Sequence, residues 1–198
     1  LLANDPHIAY SLPGIWFEAH LHSPTYENYG HFIPLIPFPV LAHNRHQGWG
    51  LTMSLVDDMD IYREKIDQAN QRYLFRGEWK ALGMREEKIK VKGEADVVLK
   101  IKSTHHGPIL DHLFEDKENA DLKSLAFEWT YFSPKNRPLQ AFYEMGQAKN
   151  MADFKKAVEK GVTPGLNVIY ADRAGNIGWW IMGEIYKKRW DLRRDFIL

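Results

Sequence analysis

Cysteine is absent from the 198 residues, which excludes disulfides, thiolate nucleophiles and cysteine-bound zinc. An excess of one charge is also absent, because 26 basic side chains balance 26 acidic ones. Without an excess of basic side chains, the sequence lacks the positive charge that binds a phosphate backbone, so nucleic acid is not an expected partner. The hydrophobic fraction of 44% is too high for a disordered chain and suits a domain with a sizeable core.

Long apolar runs are missing as well. No stretch approaches the roughly 18–20 residues that span a bilayer, and residues 1–10 lack the features of a signal peptide. The sequence therefore predicts a soluble chain without a membrane span. We find no G-x-S-x-G elbow, no phosphate-cradling G-x-x-x-x-G-K and no H-E-x-x-H, and no organic cofactor is expected.

Alternation of apolar and polar residues predicts strands over much of the chain. It predicts a buried strand at residues 15–22 and another strand at 125–132. Residues 89–101 predict a hairpin with one solvent-facing side, and residues 166–185 predict a second hairpin around a turn at 172–176.

Two helices are predicted between these hairpins. The first covers residues 139–149, and the second has Asn150 as its N-cap, Asp153 in its first turn and Gly161 at its end. No repeat or linker interrupts the pattern. We therefore expect a single domain over residues 1–198, of the α+β class and rich in antiparallel strands.

Four segments place polar residues where the surrounding pattern predicts burial. They are Asn4-Asp5-Pro6-His7, His43-Asn44-Arg45-His46, Asp57-Asp58-Met59-Asp60, and Asn167 within an apolar run. A buried polar group without a hydrogen bond costs about 1–3 kcal/mol, so each segment needs partners or a function. Asn4 to Pro6 are compatible with an Asx turn, and Asn167 with either a turn or a fixed amide donor to an oxyanion.

Two groups of side chains suggest metal binding. The first group has three carboxylates within four residues, at Asp57, Asp58 and Asp60. This pattern suits calcium, although a solvated acidic turn has the same pattern. The second group consists of Glu18, His20 and His22, which would project from one face of a strand. It includes a His-x-His pair, which can bind zinc. The segment His105-His106-Gly107-Pro108 is interpreted as a turn.

The ordered set of these segments resembles the penicillin acylase, or penicillin amidase, family of N-terminal nucleophile hydrolases. The matching motifs cover nearly the whole chain in the family's order. They are Leu1–His7 with Pro13–Leu21, His43-Asn44 with Gly48–Thr52, Asp57–Tyr62, Tyr73-Leu74 with Gly77–Trp79, Thr104–Leu110, and Asn167–Asp172 with Gly175–Gly178. Each motif alone is weakly specific, whereas the ordered set is strongly specific.

The resemblance implies part of an αββα sandwich and hydrolysis of amide bonds in small N-acylated substrates. In this family the precursor cleaves itself, and the freed N-terminal residue attacks while its own α-amino group serves as base. That nucleophile should lie roughly 15–20 residues before Leu1. The chain is thus interpreted as an inactive fragment of the catalytic β chain, with the small α chain and the rest of the β chain as partners, in a periplasmic or secreted protein.

Matching by position assigns the site residues. Asn167 matches the side-chain amide that donates to the oxyanion, and Met53 matches the position whose backbone N–H is the second donor. His7 matches a position beside the nucleophile. Asp57, the carbonyl of Met59 and Asp60 match positions that bind calcium in some members, so calcium is the expected cofactor.

Two other functions stay open at this point. One is a metal-dependent hydrolase or binding module that uses Glu18, His20 and His22. The other is a protein on an acylase scaffold that has lost its nucleophile and only binds its ligand. The specificity for the acyl group and the amine does not follow from these residues.

Overall fold

The computed structural model describes residues 1–113 and 123–187, which belong to two compact units. The first unit combines Leu1–Asp58 with the described residues from Thr130 onward, and the second spans Met59–Trp129. The organisation as a single domain stays a prediction. Antiparallel strands dominate and two α-helices accompany them, so the predicted α+β class is confirmed. Within the described ranges, no helix is long and apolar enough to cross a membrane.

A six-stranded antiparallel sheet forms the first unit. Its strands, in spatial order, are β1 (Phe17–His22), β2 (Glu27–Phe32), β3 (Leu41–His43), β4 (Gln47–Met53), β12 (Leu166–Asp172) and β13 (Ile177–Met182). β12 lies between β4 and β13, and its register places Asn167 opposite Thr52. Strands that are distant along the chain therefore meet in the middle of the sheet.

The hairpin predicted near the end of the chain is confirmed as β12 and β13. In its turn, Asp172 Oδ1 accepts the backbone N–H groups of Ala174 and Asn176, each at 2.9 Å. Gly175 has a φ of +89°, which glycine adopts without steric cost. β13 ends at Met182, earlier than the sequence pattern predicted.

The first predicted strand is present but is not buried. β1 begins at Phe17, lies at the edge of the sheet and pairs with β2 alone. All its residues except Ala19 are exposed, so the prediction of a buried strand was wrong. Alternation predicts an extended backbone, but it does not report how many neighbours cover the strand.

Two helices pack against the sheet and form the core with it. They are α1 (Pro138–Gln147) and α2 (Met151–Val158). Phe154 of α2 is fully buried, and its ring centroid lies 5.9 Å from Trp49 on β4 and 4.8 Å from Tyr170 on β12. The burial of these large aromatic rings ties the helix layer to the central strands.

The predicted start of α2 agrees with the structure, whereas the predicted stop at Gly161 has a different physical basis. Asn150 is the N-cap as expected, because its Oδ1 accepts the backbone N–H of Asp153 at 2.9 Å. Gly161 does not have the left-handed backbone of a helix stop. A Cβ at this position would lie 2.2 Å from Met182 Sδ, so a larger residue would displace the buried side chain of Met182.

The polar segment around Asn44 fastens the sheet to the end of α1. Asn44 and the fully buried Asn28 both donate a side-chain N–H to the carbonyl of Gly146, at 3.3 and 3.2 Å. Asn44 Oδ1 also accepts the backbone N–H groups of His46 and Gln47 at 2.8 and 3.1 Å. The predicted conflict between polarity and burial is therefore resolved by hydrogen bonds.

An ion pair between Glu144 on α1 and Lys160 after α2 makes stability depend on pH. The hydrogen bond from Lys160 holds the pKa of Glu144 below its ordinary value, so the pair stabilises the fold at neutral pH and loses this effect as acid protonates Glu144. We expect Glu144→Gln to lower the free energy of unfolding at pH 7 by up to about 1 kcal/mol, because the pair is partly exposed. Urea unfolding at pH 7 and about pH 3 checks this, since the two proteins should converge in acid. A difference that persists in acid would contradict it.

The described residues of the second unit form three small antiparallel sheets. Their strands are β5 (Met59–Arg63) with β11 (Leu125–Trp129), β6 (Ile66–Asp67) with β7 (Arg72–Phe75) and β8 (Glu78–Ala81), and β9 (Gly83–Ile89) with β10 (Val97–Ser103). The hairpin predicted over 89–101 is present as β9 and β10, but every residue of β9 is exposed, so the prediction of a single solvent-facing side was wrong. The strand predicted over 125–132 ends at Trp129, and a 3-10 turn covers Thr130–Phe132.

Candidate functional site

Asn167 has its side-chain amide fixed at the end of β4. Its Nδ2 donates to Thr52 Oγ1 and to the carbonyl of Met53, both at 3.2 Å, and its Oδ1 accepts from Trp179 Nε1 at 3.2 Å. Asn167 lies within β12 and not in a turn before it, which removes the alternative of a turn at strand entry. A half-buried amide held at both ends is suited to donate in a fixed direction.

Met53 is the last residue of β4 and lies opposite Leu166. The residue is 57% exposed, and its backbone carbonyl accepts a hydrogen bond from Asn167. The next residue, Ser54, donates its N–H to the carbonyl of Gly165 at 3.0 Å and closes this end of the strand pair. The structure thus brings the two sequence-predicted donors, Asn167 and Met53, together.

Asn4 fastens the N-terminal segment to the same strand. Its Nδ2 donates to the carbonyl of Leu51 at 3.0 Å, so the side-chain amide links the segment to β4. A Cβ on Gly50 would lie 2.6 Å from the Asn4 side chain, which explains a glycine inside this strand. This contact was not predicted because the partner is 47 residues away, although a glycine inside a strand, Gly50, indicated a close approach.

His7 lies on the same segment but points to solvent. Its Nε2 is 3.2 Å from Asp5 Oδ2, and the two side chains are 88% and 86% exposed. Within the described part of the chain, its polar contact is with Asp5 and not with Asn167 or Met53. The predicted role of His7 beside a nucleophile stays a prediction.

An open cavity of about 1180 Å³ lies between the N-terminal segment and the sheet. Asn4, His7, Tyr29, His43 and Trp49 are among the residues that line it. This volume is sufficient for a small organic molecule, and the lining combines aromatic surface with a few polar groups, as is common in ligand sites.

The acidic segment that was predicted to bind calcium divides into residues with different environments. Asp58 is 7% exposed and accepts a hydrogen bond from the hydroxyl of Thr163, which itself accepts from Thr130 Oγ1 at 3.0 Å. Asp58 therefore has a structural role. Asp57 is exposed and Asp60 is half-buried, and their carboxylate oxygens are the donor type that calcium prefers.

The alternative metal site on β1 does not assemble. His20 Nε2 and His22 Nδ1 lie 3.4 and 3.7 Å from the two carboxylate oxygens of Glu27 and not around Glu18. Arg45 also contacts Glu27, and its hydrogen bond holds the pKa of that carboxyl below the usual range. Among the described residues, one group of histidine and acidic side chains has ligand atoms close enough to share a metal ion. This group lies in the second unit.

Comparison with known proteins places these features in a family. The family model for penicillin amidase matches residues 1–198. The acyl-homoserine lactone acylase QuiP of Pseudomonas aeruginosa is 29% identical over 215 residues, which cover 99% of this chain and 25% of that protein. Penicillin G acylase of Escherichia coli is 29% identical over 181 residues, covering 90% and 21%.

A solved structure agrees with the sequence relatives. Thermostable penicillin G acylase from Alcaligenes faecalis aligns with a TM-score of 0.77 and 26% identity, over 90% of this chain and 31% of that one. This likeness confirms the predicted fold class. The chain spans about a quarter of the length of the curated relatives it matches. With a family model that matches from the first residue to the last, the chain belongs to the penicillin amidase family.

Proposed function

We propose that the protein that carries this chain is an acylase that hydrolyses the amide bond of a small N-acylated substrate. The observation that carries the proposal is the fixed amide of Asn167 beside the backbone of Met53, within a family match over the whole chain. The named relatives are acylases of penicillins and of acyl-homoserine lactones, and both kinds of substrate are N-acyl amides.

In this proposal, Asn167 and Met53 stabilise the negative charge that develops on the carbonyl oxygen when the amide is attacked. The Asn167 amide donates to two neutral oxygens in the structure, at Thr52 and at the Met53 carbonyl. An oxyanion is a stronger acceptor than either, so one N–H can be redirected to it as charge develops. The N–H of Met53 supplies the second donor.

The attacking group in this proposal is the N-terminal residue of the mature catalytic chain, freed by self-cleavage of a precursor. Its α-amino group, with an ordinary pKa of about 8, accepts the proton of the nucleophile. His7 then lies beside the nucleophile. The small chain and the rest of the catalytic chain complete the acyl pocket, and a periplasmic or secreted location stays a prediction.

Calcium is proposed as a structural ion held by the carboxylates of Asp57 and Asp60 and the carbonyl of Met59. Oxygen ligands of this kind hold calcium in proteins, and bound calcium stabilises the folded state by mass action. We expect calcium to raise the midpoint of thermal unfolding of the protein and Asp57→Asn to reduce that rise. An equal rise in both proteins would place the ion elsewhere.

N-terminal sequencing and intact mass of the full protein after expression test the proposed function. A new N-terminus at Ser, Thr or Cys roughly 15–20 residues before Leu1, together with release of amine from an N-acyl substrate, is the expected result. An unprocessed protein that binds N-acyl compounds but does not cleave them would overturn the proposal and favour a binding protein on an acylase scaffold.

A further inference from the structure

A second cluster of chemically active side chains lies in the second unit. The ligand atoms of Glu64, His105 and His106 all lie within 4.8 Å of one another. None of these residues is used in the proposed amide hydrolysis or in the proposed calcium site. The cluster therefore requires its own explanation.

Glu64 supplies a buried carboxylate at the end of β5. Its backbone N–H donates to the carbonyl of Ser124 at 2.8 Å, and its side chain is 7% exposed. Oε1 accepts from Thr104 Oγ1 at 2.7 Å and lies 2.9 Å from His106 Nδ1. Burial of a carboxylate is costly unless such partners compensate, so the position of Glu64 is well defined.

The turn after β10 brings the two histidines to this carboxylate. Thr104 donates its N–H to the carbonyl of Gly107 at 2.9 Å. Gly107 has a φ of +145°, and a Cβ there would lie 2.1 Å from the carbonyl oxygen of Phe127, so only glycine fits. The turn predicted from the sequence is thus confirmed, and it presents His105 and His106 next to each other.

Aromatic rings pack against both imidazoles and fix their positions. Tyr62 stacks on His106 with centroids 3.7 Å apart and an interplanar angle of 3°. Tyr73 lies parallel to His105 at 5.6 Å, and Phe75 contacts it at 4.0 Å. His105 is exposed, so the cluster is open to solvent on one side.

We propose that Glu64, His105 and His106 bind a divalent transition metal of the zinc type. Two imidazoles and one carboxylate form a known donor set for such ions, and nitrogen donors disfavour calcium and magnesium. His105 is the exposed member of this set, so the remaining coordination position would face solvent. The hydroxyl of Thr104 orients the carboxylate in the way that outer-shell hydrogen bonds orient metal ligands.

Titration of the full protein with zinc, followed by calorimetry, tests the proposal. We expect one ion per chain, and at least about a tenfold weaker affinity in His105→Ala and in Glu64→Gln. His105 is exposed, so its replacement should leave the fold intact, and Glu64→Gln keeps an oxygen that accepts from Thr104. Cobalt(II) in place of zinc should give visible absorption bands that the two substitutions alter.

His20→Ala is the matched control, because His20 also lies beside a carboxylate but outside the cluster. It should leave the affinity unchanged. Zinc affinity that is equal in the unaltered chain, His105→Ala and Glu64→Gln, or no saturable binding at all, would overturn the proposal and leave a hydrogen-bonded Glu–His pair. Because no amide hydrolysis is measured, these outcomes are independent of the proposed function.

Discussion

Asn167→Ala should lower the kcat of amide hydrolysis about 10²–10³-fold in the full protein and change KM little. The amide acts on charge that appears only in the transition state, so its loss affects the chemical step more than substrate binding. Steady-state kinetics with an N-acyl substrate and a chromogenic amine measure the effect. The same variant loses the hydrogen bonds to Thr52 and Trp179, so its unfolding free energy must be measured in parallel.

Trp179→Phe is a matched control for this experiment. It removes the N–H that holds Asn167 Oδ1 at 3.2 Å but leaves the donor amide in place. If the amide is the oxyanion donor, Trp179→Phe should reduce kcat much less than Asn167→Ala. An Asn167→Ala protein that is folded and fully active would exclude the oxyanion role.

Phe154→Ala should have the largest effect on stability, a loss of about 3–5 kcal/mol in the free energy of unfolding. The side chain is fully buried and contacts aromatic rings on β4, β12 and β13, including Trp180 at 6.0 Å between centroids. The surrounding large rings cannot collapse readily into the space that the substitution leaves. Urea unfolding followed by tryptophan fluorescence measures the change.

Lys156→Ala on the same helix is the control, because this side chain is exposed. It should change the free energy of unfolding by no more than about 0.5 kcal/mol. If Phe154→Ala has an equally small effect, the helix layer does not stabilise the sheet as the packing indicates.

The parts of the fold that depend on near neighbours could be predicted from the sequence. The N-cap at Asn150 and the hairpin turn at Asp172 each form within a few residues, so their sequence patterns are complete. The number of neighbours of a strand is not contained in such a pattern. For this reason the exposure of β1 was not predicted, although the strand itself was.

The candidate site could be predicted only in part for the same reason. Asn167 and Met53 were identified through the family resemblance, and the strand register then placed them together. Asn4 reaches Leu51 across 47 residues, and Glu64 reaches His106 across 42, so no local pattern could identify either partner. The sequence indicated polar residues that needed partners, and the structure was required to identify them.

The central position of β12 has a consequence for biosynthesis. A ribosome produces β4 before β12, and Thr52 and Asn167 are 115 residues apart in the chain. During synthesis the edge of β4 that later pairs with β12 is therefore unpaired, and an open strand edge is a template for association with other chains. Pairing over such a distance is also slow. Any reaction that requires Met53 and Asn167 together can begin only after about five-sixths of these 198 residues have emerged from the ribosome.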